Sequence, residues 1–158
     1  MEWAEFLRVA HVLGACVLIG TGSGIAFFML MAHRTSDPSF VAQTASVVVV
    51  ADMVFTATAA VAQPITGYLL MQHIGWSISE GWLAISLALY VVIGLFWLPV
   101  VWIQIKMRDE ARMSVQQNIA LTPRYNRLYR IWFACGVPAF AAILVLLWLM
   151  VNRPYLTF

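Results

Sequence analysis

Charge is what this chain has least of. Asp, Glu, Lys and Arg make up 10% of it, where a soluble domain carries about 25%. Cysteine is scarce too, with Cys16 and Cys135 alone. Two thiols in separate apolar runs, at different depths, give neither a disulfide framework nor a metal-type spacing. There is no HExxH, no glycine-rich phosphate loop and no Ser-His-Asp set confined to one leaflet. Internal repeats and low-complexity tracts are also missing. The net charge of +2 is too small to call for a polyanionic partner. These absences exclude a soluble enzyme, a nucleic-acid binder and a disordered chain.

What the chain has in excess is apolar sequence, 63% of all residues. A soluble domain of this length could not hide so much. A helix needs about 20 apolar residues to cross the hydrocarbon of a bilayer. Four runs qualify: Val9–Met31, Ala45–Met71, Trp82–Ile105 and Ile131–Val151. Their only Asp, Glu, Lys or Arg is Asp52. The runs lack the alternation of a membrane barrel, so backbone satisfaction in lipid requires helices. The expectation is an all-α, single-domain, four-helix bundle in a bacterial inner membrane. Glu2 and Glu5 precede the first run, where a signal peptide would be basic, so that run is expected to be permanent. The connections are then His33–Thr44, Gln72–Gly81 and Lys106–Arg130. Arg34, Lys106, Arg108, Arg112, Arg124, Arg127 and Arg130 lie in the first and third, against only Arg8 and Arg153 elsewhere. The positive-inside rule places those two connections in the cytoplasm and both termini outside. The charges of the third connection read as a solvated face or as a site for anionic lipid. It is expected to be helical through Lys106–Asn118 and broken at Pro123, with the fourth span starting near Tyr129.

Small and polar residues mark the faces that turn inward in a membrane bundle. On the second run, Asp52, Thr56, Gln63, Thr66 and His73 share an arc of about 100°. Pro64 removes a backbone donor and leaves a carbonyl free in the interior. On the first run, His11, Gly14, Ala15, Leu18, Gly22, Met29 and His33 lie on one side. Gly20 and Gly24 form a GxxxG pair beside them, which suits close helix packing, a groove for a flat cofactor, or self-association. On the third, Ser86, Tyr90, Trp97 and Gln104 align. Trp82, Trp102, Trp132 and Trp148 sit near run ends and are expected to form the interfacial belt.

Two constellations could carry chemistry. His11 and His73 fall at similar depth on antiparallel runs, as a bis-histidine haem b would require, with Gly14 and Gly22 giving room for the ring. His33 is at the other end of the first run and cannot join them. Asp52 must be protonated or paired. It suits an ion pair with Arg130, Arg127 or Lys106, or a proton-relay or quinone-head-group site with Gln104, and Gln63 and Tyr90 are further intramembrane polar groups of the same kind.

The stretches FLRVAHVLGACVLIG, HRTSDPSFVA, ADMVFT and GW…FWLPVVWIQ resemble a bacterial family of four-helix integral membrane proteins of unknown function. The resemblance covers nearly the whole chain, with His11, Asp52, Trp97, Pro99 and Gln104 on the recognisable positions. More distantly, His11 and the tail YRIWF…NRPYLTF are similar to HemJ-type protoporphyrinogen oxidases and CopD-like membrane domains. That likeness implies haem b held by His11. The lysine that opens the third span of the HemJ-type pattern has no counterpart in GWLAISLALY. The combined expectation is a haem b-binding redox protein that exchanges electrons with quinone. The alternatives are a non-catalytic scaffold or accessory subunit, and a small proton-coupled solute-handling protein using Asp52.

Overall fold

The computed structural model describes residues 2–156. They form α1 (Glu2–Thr35), α2 (Pro38–Ala51), a π-helical turn (Asp52–Thr56), α3 (Ala57–Ile74), α4 (Gly81–Gln117) and α5 (Pro123–Asn152). No strand occurs among the described residues. The segment from α2 through α3 is one continuous rod, so the chain has four long helices, of 34, 37, 37 and 30 residues. Each exceeds the length needed to cross a bilayer. Large apolar side chains such as Phe28, Val47, Leu95 and Val151 stand exposed along them. A surface of that kind belongs against acyl chains. The chain is an integral membrane protein.

Local chemistry sets the helix ends. The Asp37 carboxylate accepts from Ser39 N at 2.9 Å and Pro38 opens α2. Thr122 accepts from Tyr125 N at 3.1 Å and Pro123 opens α5. Pro suits a first helical turn, where its missing N–H would have had no partner. Gly75, at φ 83°, closes α3 in the left-handed conformation. The first connection is shorter than expected, and the third is helical through Gln117, close to the expected Lys106–Asn118. The break between the first two helices narrows to Ser36–Asp37, and α5 begins at Pro123 rather than near Tyr129. Polar composition marked where the hydrocarbon ends, and the caps mark where the helices end.

The ends carrying Arg34, Arg112 and Arg124 lie together, here termed the basic end; the two termini and the α3–α4 turn form the other. A large buried cluster fills the basic half, including Met29, Val41, Val48, Met107, Tyr125 and Trp132. A small one, Met71, Trp82 and Leu83, closes the other end. Between them the bundle is thinly packed. Residues 8–24 of α1, 87–99 of α4 and 133–148 of α5 include no buried side chain. The groups that are buried at this depth are small or polar: Asp52, Thr56, Ala59, Gln63 and Ser86. The tryptophans divide. Trp102 and Trp148 are exposed, as a belt requires, whereas Trp82 and Trp132 are buried and belong to the interior. Position near a run end fixes a residue's depth and not its face.

Candidate intramembrane polar site

Asp52 opens the π turn. A π turn inserts one residue into an α-helix and occurs mostly at functional sites. The Ala57 N–H closes onto the Asp52 carbonyl across it. The carboxylate is 3% exposed and therefore must find partners inside the bundle. Both that it finds are neutral. Trp97 Nε1 on α4 donates to Oδ1 at 3.4 Å. Gln104, two turns on, donates its amide nitrogen to Oδ2 at 3.0 Å, and its amide oxygen accepts from Trp132 Nε1 of α5 at 3.2 Å. An indole N–H can only donate. Trp132 thus fixes which way the Gln104 amide points, and so presents an N–H to Asp52. Three helices cooperate to build an acceptor site fed by donors without charge.

No cation joins it. The ion pairs among the described residues are Arg108–Asp109 at 2.8 Å and Arg124–Glu110 at 3.2 Å. Lys106 lies over the Trp102 ring, 5.8 Å from its centroid. The expected pairing of Asp52 with Arg130, Arg127 or Lys106 is therefore not formed. Equal depth brought those residues to the same level but not to the same side.

A second polar group lies where α1 meets α3. His11 Nδ1 is 2.9 Å from Thr66 Oγ1, and Thr66 in turn donates to Ala62 O at 2.8 Å. Gln63 Nε2 donates to the His11 carbonyl at 2.8 Å. Glycines make the approach possible. A Cβ at Gly14 would stand 2.6 Å from Gln63 Nε2, and one at Gly67 would stand 3.2 Å from the His11 ring. Gly14 accommodates the glutamine, so this interface has no slot for a flat cofactor. Gly22 has nothing within 4 Å of a built Cβ. His73 is exposed in the last turn of α3. It is seven residues beyond Thr66, about 10 Å along the axis. The structure brings His11 to Thr66 and Gln63 and does not bring it to His73. No cluster of three or more His, Cys, Asp or Glu suited to a metal ion occurs among the described residues.

Tyr90 has a different task. Pro64 cannot donate to the carbonyl four residues back, Ala60 O, and the Tyr90 hydroxyl donates to that oxygen from α4. The free carbonyl foreseen from Pro64 is thus satisfied by the neighbouring helix. Sequence reasoning missed Trp132 as part of the Asp52 network, because it was assigned to the belt. It also missed the π turn, which leaves no mark in residue periodicity.

Four apolar helices around a buried, cation-free carboxylate define a polytopic membrane protein with an intramembrane polar site. The family of predicted integral membrane proteins designated DUF2269 matches residues 5–154, and the chain belongs to it. Neither a curated protein nor a solved structure matches the chain.

Proposed function

We propose that the chain is a small proton-handling integral membrane protein in which Asp52 takes up and releases the proton. The observation that carries this reading is the set of partners around a carboxylate buried to 3% exposure: Trp97, Gln104 and, behind it, Trp132. An ion pair would lock the group in its charged state. Neutral donors hold the carboxylate without cancelling its charge, which leaves it able to accept a proton or a cationic substrate group. An ionisable side chain within the membrane marks a candidate functional site, and the π turn at the same residue supports the same reading. The excess of Arg and Lys at one end supports a cytoplasmic placement of that end, so that Asp52 would lie nearer the cytoplasm.

Infrared spectroscopy of the full chain in lipid nanodiscs tests the reading. A carboxyl absorbance should appear and vanish as pH is cycled, and Asp52→Asn should remove it while circular dichroism stays unchanged. A folded Asp52→Asn protein with the same pH-dependent carboxyl signal as the wild type would overturn it.

A second reading is haem b binding with redox exchange to quinone, favoured by His11. Thr66 holds Nδ1, which leaves Nε2 for a metal, an arrangement common around ligating imidazoles. Such a group would supply one-electron chemistry. The residues offer one imidazole ligand, His11, whose ring lies against Thr66 and Gly67 of α3. His73 is exposed in the last turn of α3 and has no bond to His11, so the reading rests on His11 alone. A Soret band lost on His11→Ala supports this reading; a colourless protein from haem-replete cells removes it.

A further inference from the structure

The face between α2 and α4 at the basic end has a mouth rimmed by polar side chains over an apolar floor, and an apolar tail. The mouth is a groove of about 600 Å³ in which Ser39, Gln43 and Ser46 of α2 face Arg112 and Gln116 of α4. Arg112 Nη2 already donates to Ser46 Oγ at 2.9 Å. The carboxylates nearest in sequence are engaged elsewhere, Asp109 with Arg108 and Glu110 with Arg124. The mouth therefore presents positive charge and neutral donors, without a competing anion. Ser46 and Val47 also line a second groove, of about 400 Å³, which continues past Val50 and Ala51 to Phe55. From Ser46 to Phe55 the helix rises about 13 Å. Its course is from the basic end into the span, down to the π turn.

We propose that this continuous groove is a fixed binding site for one anionic phospholipid. The phosphate lies against Arg112, with Ser39, Ser46 and the two glutamines as further donors. An acyl chain lies along Val47, Val50 and Phe55. Charge complementarity argues for an anionic headgroup. The apolar floor that runs on from beneath the polar rim, past the point where the polar side chains end, argues for a lipid rather than a free anion. The inference is independent of what Asp52 or His11 does.

Native mass spectrometry of the full chain, given equal amounts of phosphatidylglycerol and phosphatidylcholine, reads the site directly. The wild type should retain one phosphatidylglycerol in preference. Arg112→Gln should weaken that retention about fivefold, the contribution of one basic residue at a membrane surface. Val50→Trp, which fills the tail from a position 62% exposed and so safe to enlarge, should weaken it with Arg112 intact. Arg127→Gln, an exposed cation outside the groove, should leave it unchanged. Three results would overturn the proposal: retention that survives Arg112→Gln or Val50→Trp, equal loss in Arg127→Gln, or displacement of the lipid by inorganic phosphate.

Discussion

Removing the Tyr90 hydroxyl should cost stability only because Pro64 is present. The Tyr90 hydroxyl donates to the Ala60 carbonyl, whose usual donor would be the N–H of residue 64. In Tyr90→Phe that oxygen loses its partner in an interior poor in water. An unsatisfied buried acceptor costs about 1–3 kcal/mol. Hydrogen bonds between membrane helices measure lower, about 0.6 kcal/mol on average and about 1.7 at most. The expected loss is therefore about 1 kcal/mol. Pro64→Ala restores the N–H and lets the helix close onto Ala60 by itself. In that background Tyr90→Phe should cost only a few tenths of a kcal/mol, which gives a coupling energy near 1 kcal/mol. The four proteins of the cycle can be unfolded in lipid–detergent micelles by raising the fraction of denaturing detergent, with far-ultraviolet circular dichroism as the signal. Equal cost of Tyr90→Phe in both backgrounds would show that the hydroxyl does not serve the proline gap, and the reasoning would fail.

The two glycine environments predict opposite outcomes in the same assay. Gly14→Ala should destabilise by about 1 kcal/mol, because its Cβ would push aside the Gln63 amide that bonds the His11 carbonyl. Gly20→Ala meets nothing within 4 Å and should be neutral or stabilising by up to about 1 kcal/mol; a loss there would reveal a partner packed on that strip. Trp132→Phe should cost about 1–2 kcal/mol, since it frees the Gln104 amide to turn away from Asp52. Trp97→Phe should cost less, given its longer 3.4 Å bond, and the reverse order would refute the pinning role of Trp132. His73→Ala should change neither stability nor any haem absorbance that His11→Ala removes.

The four spans were legible because the hydrocarbon imposes them: a run without charge has few other destinations. Asp52 and Gln104 were legible for the same reason, as polar groups where lipid tolerates none. Their partners were harder to read. For Asp52 the sequence offers either Arg130, Arg127 or Lys106 at its own depth or Gln104. Gln104 reaches it, and Trp97 joins, because they share its side of the bundle. Helical periodicity gives the face of a residue on its own helix, and the rotation of that helix in the bundle is a tertiary property. The same gap explains Trp132, whose depth suits a belt and whose side is the core. By sequence, depth and the inward stripe of each helix both place His73 near His11. The helix carries Thr66 to His11 instead and leaves His73 exposed in the last turn.

The π turn connects several of these observations. Before it, α2 packs on α4 and α1; after it, α3 packs chiefly on α1 and meets α4 through the Tyr90–Ala60 bond and the Met71–Trp82–Leu83 cluster. One inserted residue rotates everything that follows by about 100°, the angle of a single helical step. The second span thus turns from one neighbour to the other at Asp52. Withdrawal of α3 from α4 accounts for the thin packing of the middle of the bundle, where residues 87–99 of α4 include no buried side chain. It also accounts for the residue at position 90, since a side chain as long as tyrosine can bridge from α4 to the Ala60 carbonyl. Asp52 stands at the corner of this turn, where α2 is still close to α4 and the donors Trp97 and Gln104 are within reach. A carboxylate one turn further along would have followed α3 toward α1 and lost them. The insertion and the polar site are therefore one construction, in which the backbone irregularity decides which helix supplies the partners of the buried charge.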